Sequence, residues 1–401
     1  MILPDRFARV LRAPDVVRLL GAATLARMPI GIDSLAIVLL VRSETGSFAR
    51  AGVVTAAFGL GIGVTSPVQG RLIDRYGHAR VMLPLAGAHV AWLGALVLLA
   101  LAGAPTAALV ACGLAAGATM PPIGFVVRPT LLRLLGDSED LLPTAFSLDG
   151  IAIEMVFVSG PLLTALVVSV SSPAVALLVA CGFALAGTLV LVSSPASRAW
   201  RPRAAEHERH LLGALASPGV RTIVAATAPM GFALGATEVT MTAFATDHGS
   251  RAAAGLLLAL WAVGSAAGGL AYGAREHGLE PGARWVRIAA LFPVLSVPLL
   301  LPASIAAMAP FALVAGLGLA PLMAAANQLI GDVAPPGAVT EAFAWPITAI
   351  GLGASAGSAA AGAIAQSWGW REGFAAVVLS GLLGAALALG RRATVVAPAG
   401  V

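Results

Sequence analysis

Charge is scarce in this chain: 11% of its 401 residues are Asp, Glu, Lys or Arg, and aromatic residues make up 5%. Lysine is absent, all 24 basic residues being arginine, which we read as codon bias of a GC-rich genome rather than as chemistry. There are only two cysteines, Cys112 and Cys181. Both lie in apolar stretches, where they read as small structural residues and not as a disulfide. No Cys/His cluster has metal-ligand spacing, and no glycine-rich nucleotide loop or nucleophile with a neighbouring base can be found. The chain is therefore expected to be no enzyme and to hold no cofactor and no metal. The two neighbouring histidines of Glu206-His207-Glu208-Arg209-His210 fall in a polar stretch that reads as a solvated linker. Arg6, Arg9 and Arg12 precede no small-residue cleavage site, so the amino terminus reads as an amphipathic lead-in rather than a secretory signal.

What is there is apolar surface. Hydrophobic residues make up 59% of the chain, with 46 glycines and a mean hydropathy of +0.93. A bilayer core of about 30 Å needs about 20 apolar residues per helix. Such runs recur at about residues 16–41, 51–73, 79–103, 105–130, 142–168, 173–195, 219–246, 252–274, 284–302, 304–331, 338–366 and 370–390. Polar faces at helical period are missing from most of them, which excludes a large soluble helical protein. With both termini on the cytoplasmic side, 19 arginines fall on that side, 4 on the other and Arg27 within the membrane. The inside-positive bias sets that orientation. It also accounts for a pI near 10.4 without invoking nucleic acid.

The polar stretch from Ser194 to Pro218 divides the chain into two sets of six spans, and the sets look like copies. A shift of 203 residues superposes Arg18 on Arg221, Thr24 on Thr227, Ser47 on Ser250, Gly52 on Gly255, Gly61 on Gly264 and Gly70 on Gly273. Farther along, Ala145-Phe146 matches Ala342-Phe343 at a shift of 197. An even number of spans per copy gives both halves one orientation, related by an axis along the membrane normal. The expected architecture is an all-α membrane protein of twelve transmembrane helices in two pseudo-symmetric six-helix bundles. Residues 1–195 and 219–401 form the bundles, and 196–218 a cytoplasmic central loop.

The most specific motif follows the second span: Gly70-Arg71-Leu72-Ile73-Asp74-Arg75-Tyr76-Gly77-His78-Ala79-Arg80. It resembles the short cytoplasmic loop motif of the major facilitator superfamily, whose twelve spans, long central loop and two-fold repeat also match this chain over essentially its full length. The resemblance implies a latch that holds the halves together on the cytoplasmic side. Gly70 would let the helix end pack closely, Gly77 would permit the turn, and Asp74, Arg75 and Arg80 would bond to facing helix ends. The second-half counterpart, Gly273-Ala274-Arg275-Glu276-His277, keeps the glycine and loses the aspartate pattern. A second stretch, Thr144 to Pro161, is similar to the fifth helix of a bacterial branch of efflux proteins, and Gly160-Pro161 is similar to the bend motif of the family's antiporters. Two departures stand against proton–drug exchange: Leu162-Leu163-Thr164 replaces a further glycine pair, and Ala111-Cys112-Gly113-Leu114 lacks the arginine expected in span four.

Charges inside the spans carry the mechanism. Arg27 and Glu154 lie at about the same depth, ~16 Å into spans one and five. A lone charge at mid-bilayer costs about 2.5–3.5 kcal/mol or more, so the two are expected to pair, either as a coupling element or as an inert register lock. Asp33 has no basic residue within a helical turn, and Pro29 and Gly31 weaken the helix beneath it. It is the leading candidate to carry a coupling proton, with Glu154 and the near repeat-equivalent Glu238 as the others. Asp33 and Glu238 are expected on the two sides of an outer vestibule. Arg128, at the inner end of span four, is expected to reach Asp149 or Asp74 and to join the latch. Asn327 and Gln328 are candidate substrate hydrogen-bonders or interfacial groups. Phe58, Trp261 and Trp345 either line the cavity or pack in the core.

The function that follows is secondary active transport by alternating access, coupled to protons and exporting small hydrophobic or amphipathic compounds or sugars. A proton-coupled importer and a non-transporting, transporter-like receptor or scaffold are the alternatives, since a fold does not decide direction or substrate. The expected partners are a small-molecule substrate, protons and the lipid bilayer, with no nucleic acid. The chain is expected to be a monomeric, multi-pass protein of the bacterial plasma membrane.

Overall fold

The computed structural model describes residues 3–135, 141–198, 213–273, 278–335 and 339–395, and among them the chain is helical without a strand. The first half comprises α1 (Leu3–Arg12), α2 (Val16–Thr45), α3 (Phe48–Tyr76), α4 (His78–Leu101), α5 (Thr106–Ala118), α6 (Gly124–Leu134), α7 (Leu142–Val170), α8 (Pro173–Ser193) and the short α9 (Pro195–Arg198). The second comprises α10 (Pro218–Asp247), α11 (Arg251–Gly273), α12 (Pro281–Ser296), α13 (Ile305–Gly316), α14 (Leu319–Val333), α15 (Val339–Ser367) and α16 (Trp370–Gly390). Among the described residues eleven helical stretches are long and apolar enough to cross a membrane, one of them being α13 and α14 taken together. With the shorter pair α5 and α6 as the remaining span, they form two six-span bundles of a multi-pass membrane protein.

Local chemistry sets many of the helix ends. Ser172 and Ser217 each precede a proline at the first helical position and accept a hydrogen bond from the backbone N–H of Val175 and Val220. Proline there sacrifices an N–H that has no intrahelical partner, and the serine satisfies another. Between α3 and α4 the chain turns on Gly77 alone, whose φ of 89° is a conformation that side chains with a Cβ rarely adopt.

Span four departs from expectation. It is a broken element, α5 and α6 separated by residues 119–123. Pro121 and Pro122 remove two consecutive donors, and each disfavours the helical conformation of the residue before it. A carbonyl freed at the break finds side chains instead: Ala118 O accepts from Gln69 Nε2 at 2.8 Å and Thr65 Oγ1 at 3.1 Å, both on α3. The repeat-related span is interrupted as well, between α13 and α14.

The halves meet along α3 with α15, α7 with α11 and α2 with α10. A Cβ built on Gly52 of α3 would lie 3.0 Å from the Cα of Gly362 on α15. Two turns on, a Cβ on Gly59 would meet Ser355 Oγ at 2.8 Å. One further turn toward the side that bears the termini, a Cβ on Gly63 would meet nothing within 4 Å, and a Cβ on Gly351 of α15 would come only to 3.7 Å from the Gly63 Cα. Two further contacts between halves lie on the same side as Gly52: Gly255 of α11 packs on Pro161 and Ala165 of α7, and Phe48 N donates to Gln366 Oε1 at 2.9 Å. The bundles are thus packed at the end remote from the termini and part toward the other.

Candidate functional site

Seven polar side chains sit near the depth where the halves part, and the first two form an ion pair different from the one expected. Arg27 NH1 of α2 donates to Asp149 Oδ1 of α7 at 2.5 Å, with both side chains buried. Glu154 is not its partner. Asp149, Val156 and Gly160 share one face of α7, and Val156 and Gly160 are the residues that pack on Gly31 of α2. At 100° per residue Glu154 points about 140° away from Asp149. It shares a face instead with Pro161, two turns away, which packs on α11. Glu154 is half-buried on the side of the first bundle that looks at the second. Depth alone favoured Glu154, whereas the long arginine side chain spans the difference in height to Asp149.

Asp33 is not unpaired. Its side chain is fully buried, as is that of His89 on α4, and His89 Nε2 lies 3.2 Å from Asp33 Oδ2. The alignment falls outside hydrogen-bond geometry, and neither carboxylate oxygen has another hydrogen-bond partner. On its other edge the imidazole holds Ala116 O, with Nδ1 at 2.8 Å. Asp33 therefore faces the interior of the first bundle and not an outer vestibule, because its azimuth on α2 turns it toward α4. His89 was not legible as a functional residue. Its only signal is that it is the one ionisable side chain in the apolar run from Val81 to Leu101.

Glu238 does stand at the boundary between bundles. Ser34 Oγ of α2 donates to Glu238 Oε2 of α10 at 2.7 Å. Asp33 and Ser34, consecutive on α2, thus address the two sides of that helix.

The remaining candidates divide. Phe58 is buried at 4% exposure with its ring 6.4 Å from that of His89, so it packs inside the first bundle. Gly61 and Gly117 bring α3 and α5 close enough to enclose it. Trp261 and Trp345 are partly buried against the core. Asn327 and Gln328 are exposed. Gln328 Oε1 accepts from Arg284 NH2 of α12 at 2.5 Å, which ties it to a neighbouring helix. In the loop motif Arg75 and Arg80 are exposed, the Arg75 guanidinium lying 5.3 Å from the centre of the Tyr76 ring, and Gly70 is half-buried near the end of α3. The side chains of Asp74 and Arg128 lie outside the described residues, as do Arg275-Glu276-His277 and the 206–210 stretch. Among the described residues no group of three or more His, Cys, Asp or Glu side chains could hold a metal ion.

Two pseudo-symmetric six-span bundles, packed at one end and enclosing ionisable side chains at mid-depth, define a membrane transporter fold. The chain belongs to the Major Facilitator Superfamily, whose family model matches residues 19–274 and 222–399. No curated protein matches it by sequence. Among solved structures it is similar to a point-mutant form of the nucleoside transporter NupG, with a TM-score of 0.74 at 15% identity over 94% of this chain and 99% of that one. A bacterial homologue of the iron transporter ferroportin in an inward-facing state gives 0.70 at 13% identity, covering 94% and 98%. A bacterial homologue of the human lysosomal transporter Spinster, inward-facing and unoccupied, gives 0.67 at 14%, covering 95% and 98%. At these identities the likeness is one of fold.

Proposed function

We propose that this transporter is proton-coupled and exports small hydrophobic or amphipathic compounds or sugars by alternating access, as a monomer in the bacterial plasma membrane with both termini in the cytoplasm. The observation that carries the reading is the parting of the halves. Their contact is tight at Gly52, persists at Gly59 and has loosened at Gly63, with Glu154 facing the parting and Ser34–Glu238 closing it on the other side. A rocking pair of bundles, residues 1–195 and 219–401 joined by the 196–218 loop, needs such a junction. The arginine bias makes the open side cytoplasmic. The Gly70 to Arg80 loop would then be disengaged here and would latch the halves in the opposite state. Buried carboxylates supply the coupling, since each can be neutralised by a proton at lower cost than it can be buried charged. Asp33 is the leading coupling site, with Glu154 and Glu238 in the path between the bundles.

The test is transport in reconstituted vesicles under an imposed pH gradient, with a panel of nucleosides, sugars and amphipathic drugs. Gradient-driven movement of at least one class is expected, and Asp33→Asn should abolish it while leaving exchange at equal pH. Movement indifferent to the gradient would remove the coupling. Accumulation with the gradient reversed in sense would make the protein an importer.

A further inference from the structure

Resting on the proton-coupled reading, we propose that the coupled proton is held jointly by His89 and Asp33, and that this structure represents the loaded form. His89 Nδ1 lies 2.8 Å from Ala116 O. A carbonyl oxygen only accepts, so Nδ1 carries a hydrogen. That leaves Nε2, 3.2 Å from Asp33 Oδ2, to hold either a lone pair or a second proton. A lone pair against a bare carboxylate would press two acceptors together and leave a net negative charge sealed from water, since both side chains are fully buried. One proton therefore belongs to the couple. It makes either an imidazolium beside a carboxylate or a neutral imidazole beside a carboxylic acid, and the sum of charge is zero in both.

Among the described residues no other charged side chain offers compensation. From α5 comes the carbonyl end of a short helix that stops at Ala118, whose dipole favours a cation at His89. From α8 comes Cys181, within electrostatic reach of Asp33. From α3 comes the Phe58 ring. On α2 itself Arg27 is engaged with Asp149 of α7, and Glu238 of α10 is engaged with Ser34. Release of the proton to water leaves the Asp33 carboxylate facing a neutral imidazole that still carries its Nδ1 hydrogen. That arrangement cannot persist at this distance without water, so the two must separate. Through Ala116 the separation is felt near the break in span four, and α2, which carries Asp33, also carries Ser34 to the boundary with the second bundle. Proton occupancy thus has a direct mechanical path to the contact between halves.

The test reads conformation without any substrate. Spin labels at Arg50→Cys and Arg371→Cys, one on each half at the packed end, report the separation of the bundles. The wild-type distance distribution is expected to shift between about pH 5 and pH 8, where an imidazole changes charge. Asp33→Asn, His89→Gln and His89→Asn should each lose that shift, and Asp33→Asn/His89→Gln should lose nothing more. The Asn variant can still donate to Ala116 O, so it rescues a purely structural role and not a proton-holding one. It also serves where the Gln variant does not fold. A wild-type response in His89→Asn, or no pH response in the wild type, overturns the joint site. The vesicle assay separates the two levels. Gradient-driven transport that survives in His89→Asn and is lost in Asp33→Asn leaves the coupled reading intact and removes His89 from it, whereas wild-type transport that ignores the gradient removes the reading itself.

Discussion

The two halves of the molecule share a backbone plan and differ in chemistry. Phe48 and Arg251 open corresponding helices at an offset of 203, as do His78 and Pro281, and Leu142 and Val339 do so at 197. At the offset of 203 that also aligns Arg18 with Arg221, Arg27 falls on Met230, Asp33 on Ala236 and His89 on Phe292, while at 197 Asp149 falls on Pro346. The first bundle therefore holds an ion pair and a titratable couple where the second has a buried methionine, a proline within α15, a buried alanine and a core phenylalanine 3% exposed. Glu238 and Glu154 break the symmetry in the same way, their counterparts being Leu35 and Gly351. The repeat specifies how helices lie against one another. Ionisable groups added to one copy then give that bundle a charge state that the other does not have.

The largest effect expected from this asymmetry is at the ion pair. Arg27→Leu leaves Asp149 buried without its guanidinium and should cost about 3–5 kcal/mol, while Arg27→Leu/Asp149→Leu should recover most of it. Thermal unfolding in detergent measures both, and additive losses would show that the pair is not coupled. Next is the transplant. Met230→Arg, which places a charge where the second half has none, should destabilise by about 2.5–3.5 kcal/mol, and adding Pro346→Asp should restore part of that if the two bundles are equivalent in geometry. Failure of the double variant to recover anything would mean that the likeness of the halves stops at helix position.

Smaller effects belong to the contact between halves. Gly52→Val forces a side chain into Ser358 and Gly362 and should destabilise the closed end by about 1–3 kcal/mol, moving spin-label distances there outward. Gly63→Val, whose Cβ meets open space, should leave them unchanged. Equal responses would contradict the parting of the bundles between these residues. The smallest is at Ser34–Glu238. Glu238→Ala removes one polar link between halves worth about 1 kcal/mol, whereas Glu238→Gln keeps an acceptor for the serine and should be nearly silent in stability.

Much of the fold was legible because a bilayer reduces helix prediction to counting apolar residues, and the ends of α8, α10 and α16 fall within about two residues of the expected ones. The break in span four was in plain view as Pro121-Pro122, yet mean hydropathy passes over it, since proline interrupts hydrogen bonding without adding charge. The site was legible only in part. Arg27 and Asp33 stood out as charges in apolar runs, but Arg27 was matched to Glu154 by depth and Asp33 was left without a partner because no basic residue lies within a helical turn of it, and position along a helix is one of two coordinates. The other is azimuth. It follows from how closely α2 and α7 approach, which Gly31 and Gly160 decide by having no side chain. His89 carried no signal beyond being the one ionisable side chain of its apolar run, since a single histidine in a helix has neither spacing nor periodicity to mark it.

By itself the amino-acid order determined that the chain crosses the membrane in two related sets of six spans, because hydrophobic length, turn residues and repeated spacing are local properties read along one dimension. Which charge meets which was decided only by the tertiary structure. Pairing between helices depends on their rotation and on the distance between their axes, and these emerge from the packing of many small side chains at once. Hence Arg27 turned to Asp149, Asp33 to His89 and Glu238 to Ser34.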